Sequence, residues 1–152
     1  MKCNTLFITQ NIDTIGKLSC NPAVGGLSKG NMVREIDALG GEMAHLIDHT
    51  MIQFRMLNMS KGPAMWSPRA QCDKILFSRN WRSILVNHSR LDTYEDIVNS
   101  FLFENSKIAG VSTISGAIFK SRAVILTAGT FLNGKLFVGR QQLVGGRIGE
   151  CS

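Results

Sequence analysis

The sequence predicts a mixed α/β fold, and three features carry that prediction. A short apolar strand leads into a glycine-rich loop and an amphipathic helix, and a longer helical pattern follows in the middle of the chain. The region after it switches to short apolar runs joined by polar turns, the signature of an antiparallel meander.

"NTLFITQN" (4–11) is a β-branched and aromatic run bounded by polar residues and reads as a buried strand. The loop "SCNPAVGGLSKGN" (19–31) follows. "KGNMVREIDALGG" then sets Met32, Val33, Ile36 and Leu39 at helical spacing, with Gly40 and Gly41 as the stop. "GEMAHLIDH" reads as a second helix with Met43, Leu46 and Ile47 inward, and "MIQFRMLN" as a strand alternating Ile52, Phe54 and Met56 with Gln53, Arg55 and Leu57. Ser67 and Pro68 have the character of an N-cap and a first helical residue, which predicts a helix from there through Asn87 that buries Cys72, Ile75, Leu76, Trp81, Ile84 and Leu85. The meander comprises 97–103, 108–114 and 117–119, followed by a buried strand over 123–127. No repeat, low-complexity segment or linker divides the chain, so residues 1–152 read as a single domain, incomplete at both ends.

Composition bounds the partners. Hydrophobic residues make up 44% and charged residues 18%, the profile of a folded domain and not of a disordered tail. No apolar run approaches the roughly 20 residues of a membrane span, and the start lacks a signal-peptide core, so no membrane association and a cytoplasmic location are expected. A net charge of +6 admits a polyanion such as RNA or a phosphate-bearing cofactor; an inert basic surface is the plain alternative. Cys3, Cys20, Cys72 and Cys151 lie far apart and read as free thiols, and His45, His49 and His88 find no third ligand, so no metal site is expected.

Strand, glycine-rich loop and helix together suggest nucleotide binding, because glycines let phosphate approach the backbone and a helix N-terminus attracts it. The loop matches neither G-x-x-x-x-G-K-[ST] nor G-x-G-x-x-G. Taken in order, however, "NIDTIGKLSCNPAVGGLSKG", "REIDALGGEMA", "IQFRMLNMSKGPA", "RAQCDK", "AVILTAGTFLNGK" and "GGRIGE" resemble the MnmG/GidA family of FAD-dependent tRNA uridine-modifying enzymes, collinearly over nearly the whole chain. The resemblance implies a partial Rossmann-like FAD-binding domain of glutathione-reductase type with an antiparallel β-meander. It also implies that the chain starts after the family's first strand and G-G-G-H-A-G loop and lacks both. The implied reaction is installation of a carboxymethylaminomethyl group at the wobble uridine of tRNA, with FAD, NADH as reductant and a folate one-carbon donor. An MnmE-like GTPase partner and a homodimer are implied as well. A fragment inactive alone, a non-catalytic basic RNA- or partner-binding segment, and a different FAD-dependent oxidoreductase remain open.

Residue by residue, the resemblance makes Cys20 the candidate for nucleophilic or redox work; a small packing thiol is the alternative. Gly25, Gly26, Lys29 and Gly30 are candidates for phosphate, and Lys61, Gly62 and Arg69 for a phosphate or a folate carboxylate, with solvated loops as the competing reading. Val98 is expected to meet the adenine of FAD through its backbone while its side chain is buried. The resemblance also implies that Ala128, Gly129 and Thr130 form a small-residue turn beside the cofactor and that Ser152 is a further FAD contact.

Overall fold

The computed structural model describes residues 3–19 and 21–152, and the chain divides into two compact units, Met1–Ile97 and Val98–Ser152.

In the first unit β1 (Thr5–Thr9) pairs in parallel with β5 (Leu91–Glu95), from Thr5 opposite Leu91 to Thr9 opposite Glu95. A second sheet has the order β2 (Ala23–Gly25), β4 (Ser67–Cys72), β3 (Met51–Leu57), all antiparallel. Helices α1 (Lys29–Ala38), α2 (Met43–Thr50) and α3 (Lys74–Val86) complete the unit. The core is Leu46, Ile47, Ala70, Cys72 and Phe77, with Leu18, Val24, Val33, Met43, Trp81 and Ile84 packed against it. Phe77 meets Trp81 edge to face, with ring centroids 6.4 Å apart.

The α1 stop has a clear cause. Gly40 takes φ +81°, its amide donates to Asp37 O and the Gly41 amide to Ile36 O, both at 2.8 Å, which satisfies carbonyls that the helix end leaves open. The expected buried face of α1 is thinner than its pattern suggests: Val33 reaches the core, whereas Met32, Ile36 and Leu39 are exposed. The inward set of α2 is as expected at Leu46 and Ile47.

Residues 67–72 are a strand and not the start of a helix. Gly25, Val24 and Ala23 pair with Arg69, Ala70 and Gln71 on one side while β3 pairs on the other, so ladder bonds on both edges override the local Ser-Pro signal. At Pro68 the strand partner is Met56 alone, which tolerates a residue without an N–H. The helix starts instead after Asp73, whose carboxylate accepts from the Ile75 and Leu76 amides at 2.9 and 2.8 Å. This phase change buries Phe77 and leaves Ile75 exposed.

The second unit holds the expected meander: β6 (Val98–Glu104), β7 (Lys107–Thr113) and β8 (Ile118–Lys120), with Asn105 and Ser106 at positive φ in the first turn. Residues 123–127 form no strand. They find no ladder partner among the described residues, and Ile125 and Leu126 are exposed. A hairpin that the sequence reading did not anticipate, β9 (Lys135–Val138) with β10 (Gln141–Val144), follows. It is closed at its base by the Gly145 amide donating to Gly134 O at 2.9 Å.

Candidate functional site

The β2-β4-β3 sheet and its connections collect the phosphate and substrate candidates. Gly25 is the ladder partner of Arg69, and the Gly26 amide donates to Pro68 O at 2.9 Å. Gly25 has φ +111°, and a Cβ there would run into Pro68 O and the Arg69 Cα; the Gly30 Cβ position likewise lies against Pro68. Close backbone packing on β4 therefore demands glycine at position 25, and Gly30 fits tightly against Pro68. The amides of Gly26, Lys29 and Gly30 already donate, to Pro68 O, Leu27 O and Gly26 O respectively. What the loop offers an anion is thus the exposed Lys29 side chain more than a set of open N–H groups.

Lys61 and Gly62 lie in the connection from β3 to β4, a pair of short 3-10 turns (Met59–Lys61 and Pro63–Met65) pinned by Trp66 Nε1 donating to Met59 O at 3.2 Å. Lys61 is exposed and Gly62 has φ +88°. Arg69 sits half-buried on a central strand, not in a helical first turn, and Lys29, Lys61 and Arg69 make no ion pair among the described residues. Cys20 lies outside the described residues.

The sheet's other face was not anticipated. Val24, Ala70 and Cys72 turn to the core, so the alternate positions face away from it. There Arg55 stands directly opposite Arg69, and Gln53 opposite Gln71, with Gly25 and Ala23 completing the rows. The polar residues alternating in "IQFRM" and "RAQ" are the only sequence signal for this plate. It is legible only once the register is known.

In the second unit, Val98 starts β6 opposite Thr113 and is 40% exposed, contrary to its expected burial, because it lies at the end of a strand on the sheet's edge. Ala128, Gly129 and Thr130 do form a turn: the Phe131 amide donates to Ala128 O, Gly129 has φ +59° with open space at its Cβ position, and Thr130 Oγ1 donates to Gly146 O at 3.1 Å. Arg147 covers the Phe131 ring at 5.1 Å. Ser152 is exposed. Val98 and Gly129 are both exposed. None of Val98, Ala128, Gly129, Thr130 and Ser152 has a charged side chain.

A groove in the first unit is lined by Asp13, Lys17, Lys74, Ile75, Ser78 and Arg82, but Asp13 and Arg82 pair with each other. Burial raises the Cys72 thiol pKa above its ordinary value, opposed by a hydrogen bond with Thr50. Among the described residues no group of three or more His, Cys, Asp or Glu could hold a metal ion, and no helix is long and apolar enough to cross a membrane.

Parallel strand pair, glycine-led helix and antiparallel meander define a mixed α/β protein of the Rossmann-type class to which flavin-binding folds belong. The comparisons narrow this. The family model described as "Glucose inhibited division protein A" matches residues 1–152, and the chain belongs to that family. The chain is 56% identical, over 146 residues and 96% of its length, to the tRNA uridine 5-carboxymethylaminomethyl modification enzyme MnmG of Bacteroides thetaiotaomicron, covering 23% of that protein. It is 55% identical over 150 residues to the MnmG of Borrelia garinii, covering 97% of this chain and 24% of that one. Aquifex aeolicus GidA superposes with a TM-score of 0.90 at 47% identity, over 97% of this chain and 24% of that one. The GidA-related protein of Thermus thermophilus, at TM-score 0.53 and 16% identity, shares the fold. The chain thus spans about a quarter of the length of its curated relatives.

Proposed function

We propose that this chain supplies part of the FAD domain of an enzyme that installs a carboxymethylaminomethyl group on the wobble uridine of tRNA, together with an MnmE-like GTPase, and that it is inactive alone. The observation that carries the reading is collinear identity of 54 to 56% with proteins named for that reaction. Bound FAD supplies the redox chemistry, with NADH as reductant and a folate as one-carbon donor. Cys20 is the proposed nucleophile or redox thiol. Lys29, Lys61 and Arg69 are the proposed anchors for phosphate or carboxylate, since each carries a cation on the β2-β4-β3 sheet or its connections. Val98, Ala128, Gly129, Thr130 and Ser152 are proposed to border the cofactor's neutral part. A homodimer in a cytoplasmic setting belongs to the same reading.

A chimera tests it: the MnmG of Bacteroides thetaiotaomicron with its matching segment replaced by this chain. With FAD, NADH, the folate donor and the GTPase, nucleoside mass spectrometry of tRNA is expected to show modified uridine, and Cys20→Ser in the chimera to abolish it. A folded chimera that holds FAD yet leaves uridine unmodified would sink the proposal. Salt-dependent RNA binding by that same inactive chimera would then favour a binding segment, a reading supported by the +6 charge.

A further inference from the structure

We propose that the outward face of the β2-β4-β3 sheet is a phosphoryl-binding plate in which Arg55 and Arg69 grip one phosphate group, and Gln53 and Gln71 contact what is attached to it. Arg55 and Arg69 are direct cross-strand partners, which sets their Cβ atoms about 4.5–5.5 Å apart on one face. Like charges so placed destabilise a sheet unless something offsets them. Among the described residues nothing does: neither guanidinium has an ion pair or a side-chain hydrogen bond, although Arg69 is half-buried.

An anion bridging both guanidiniums removes the repulsion, and planar N–H forks match phosphate oxygens bidentately. The surroundings favour a phosphate ester over a bare ion. Gln53 and Gln71 lie one row along the same face, about 7 Å away by the two-residue rise of a strand, and each carboxamide both donates and accepts. Beside Arg69 the row continues with Gly25, which adds no side chain of its own to that face.

A free nucleotide and an RNA backbone present the same chemistry here, and titrations with AMP and with a single-stranded oligoribonucleotide separate them. The expected result is that Arg55→Gln and Arg69→Gln each weaken binding roughly tenfold, while Lys135→Gln, at an exposed lysine of the second unit, leaves it unchanged. Loss with AMP points to a terminal phosphate; loss with the oligonucleotide alone points to a diester, with the salt slope falling by about 0.7 per arginine removed. Without ligand neither variant should lower the thermal midpoint, since each removes a repulsion. Should Arg69→Gln fail to fold, the exposed Arg55 decides the matter alone. Binding of neither probe, or equal weakening by Lys135→Gln, overturns the proposal. A plate that binds phosphate in a chimera that modifies no uridine would leave this inference standing and remove the functional reading above.

Discussion

Gly25→Ala and Gly26→Ala, made side by side, separate what a backbone conformation costs from what a close contact costs. Both glycines have positive φ, +111° and +99°, so alanine at either is strained by about 1–3 kcal/mol, less about 0.4–1 kcal/mol gained by stiffening the unfolded chain. There the similarity ends. Nothing lies within 4 Å of a Cβ at Gly26, whereas at Gly25 it meets the backbone of Pro68 and Arg69 on a strand paired on both sides. That backbone cannot swing away as a side-chain tip would, and overpacking of this kind adds about 1–3 kcal/mol. Gly26→Ala should therefore cost about 1 kcal/mol and Gly25→Ala about 2–4. At about 2–4 °C per kcal/mol for a chain of this size, the thermal midpoints should fall by about 3 °C and about 10 °C. Urea melts at unchanged slope should rank the pair the same way. Equal midpoints for the two variants would refute the claim that Gly25 is a glycine because β4 leaves no room.

The remaining predictions concern the core and the α3 cap. Asp73→Ala removes the acceptor of two amides and should cost about 0.5–2 kcal/mol by urea melt. Phe77→Ala should cost about 3–5 kcal/mol, while Ile75→Ala, on a side chain 80% exposed, stays within about 0.5; the reverse ranking would restore the helix start at Pro68. The Cys72 thiol is raised in the folded state, so the folded protein holds its proton longer than the unfolded chain does. The stability this contributes is complete below the ordinary thiol value of 9.0 and is lost as pH climbs through the raised one. Urea midpoints measured across alkaline pH should fall less steeply in Cys72→Ala. In the folded chain iodoacetamide should label the exposed Cys3 and Cys151 well before Cys72.

Much of the fold is legible in local pattern. The β1 run, α2 with its inward Leu46 and Ile47, and the meander with its polar turns depend on neighbours close in sequence. The failures come from strand pairing, which local pattern does not decide, and the β9-β10 hairpin was missed although its two strands are neighbours in sequence. Residues 67–72 resemble a capped helix until β2 and β3 pair with them, and 123–127 resemble a buried strand but lack a ladder among the described residues. The site follows the same rule. Glycines and cations could be named from "GGLSKG" and "SKGPA", and the family resemblance supplied the roles proposed for them. The apposition of Arg55 and Arg69 is a fact of register, which single-residue reading does not contain.

Strand β3 forms one border of its sheet and leaves Ile52 at 68% and Phe54 at 57% exposed. A border with open N–H and C=O groups and bare apolar side chains can be extended by another chain's strand. Opened molecules would then be consumed by association before they could close. Heating such a protein at high concentration measures a race: the apparent melting temperature should drop with slower scans and higher concentration, and its durability there is a lifetime set by the rate of opening, whereas dilute samples report the folding equilibrium.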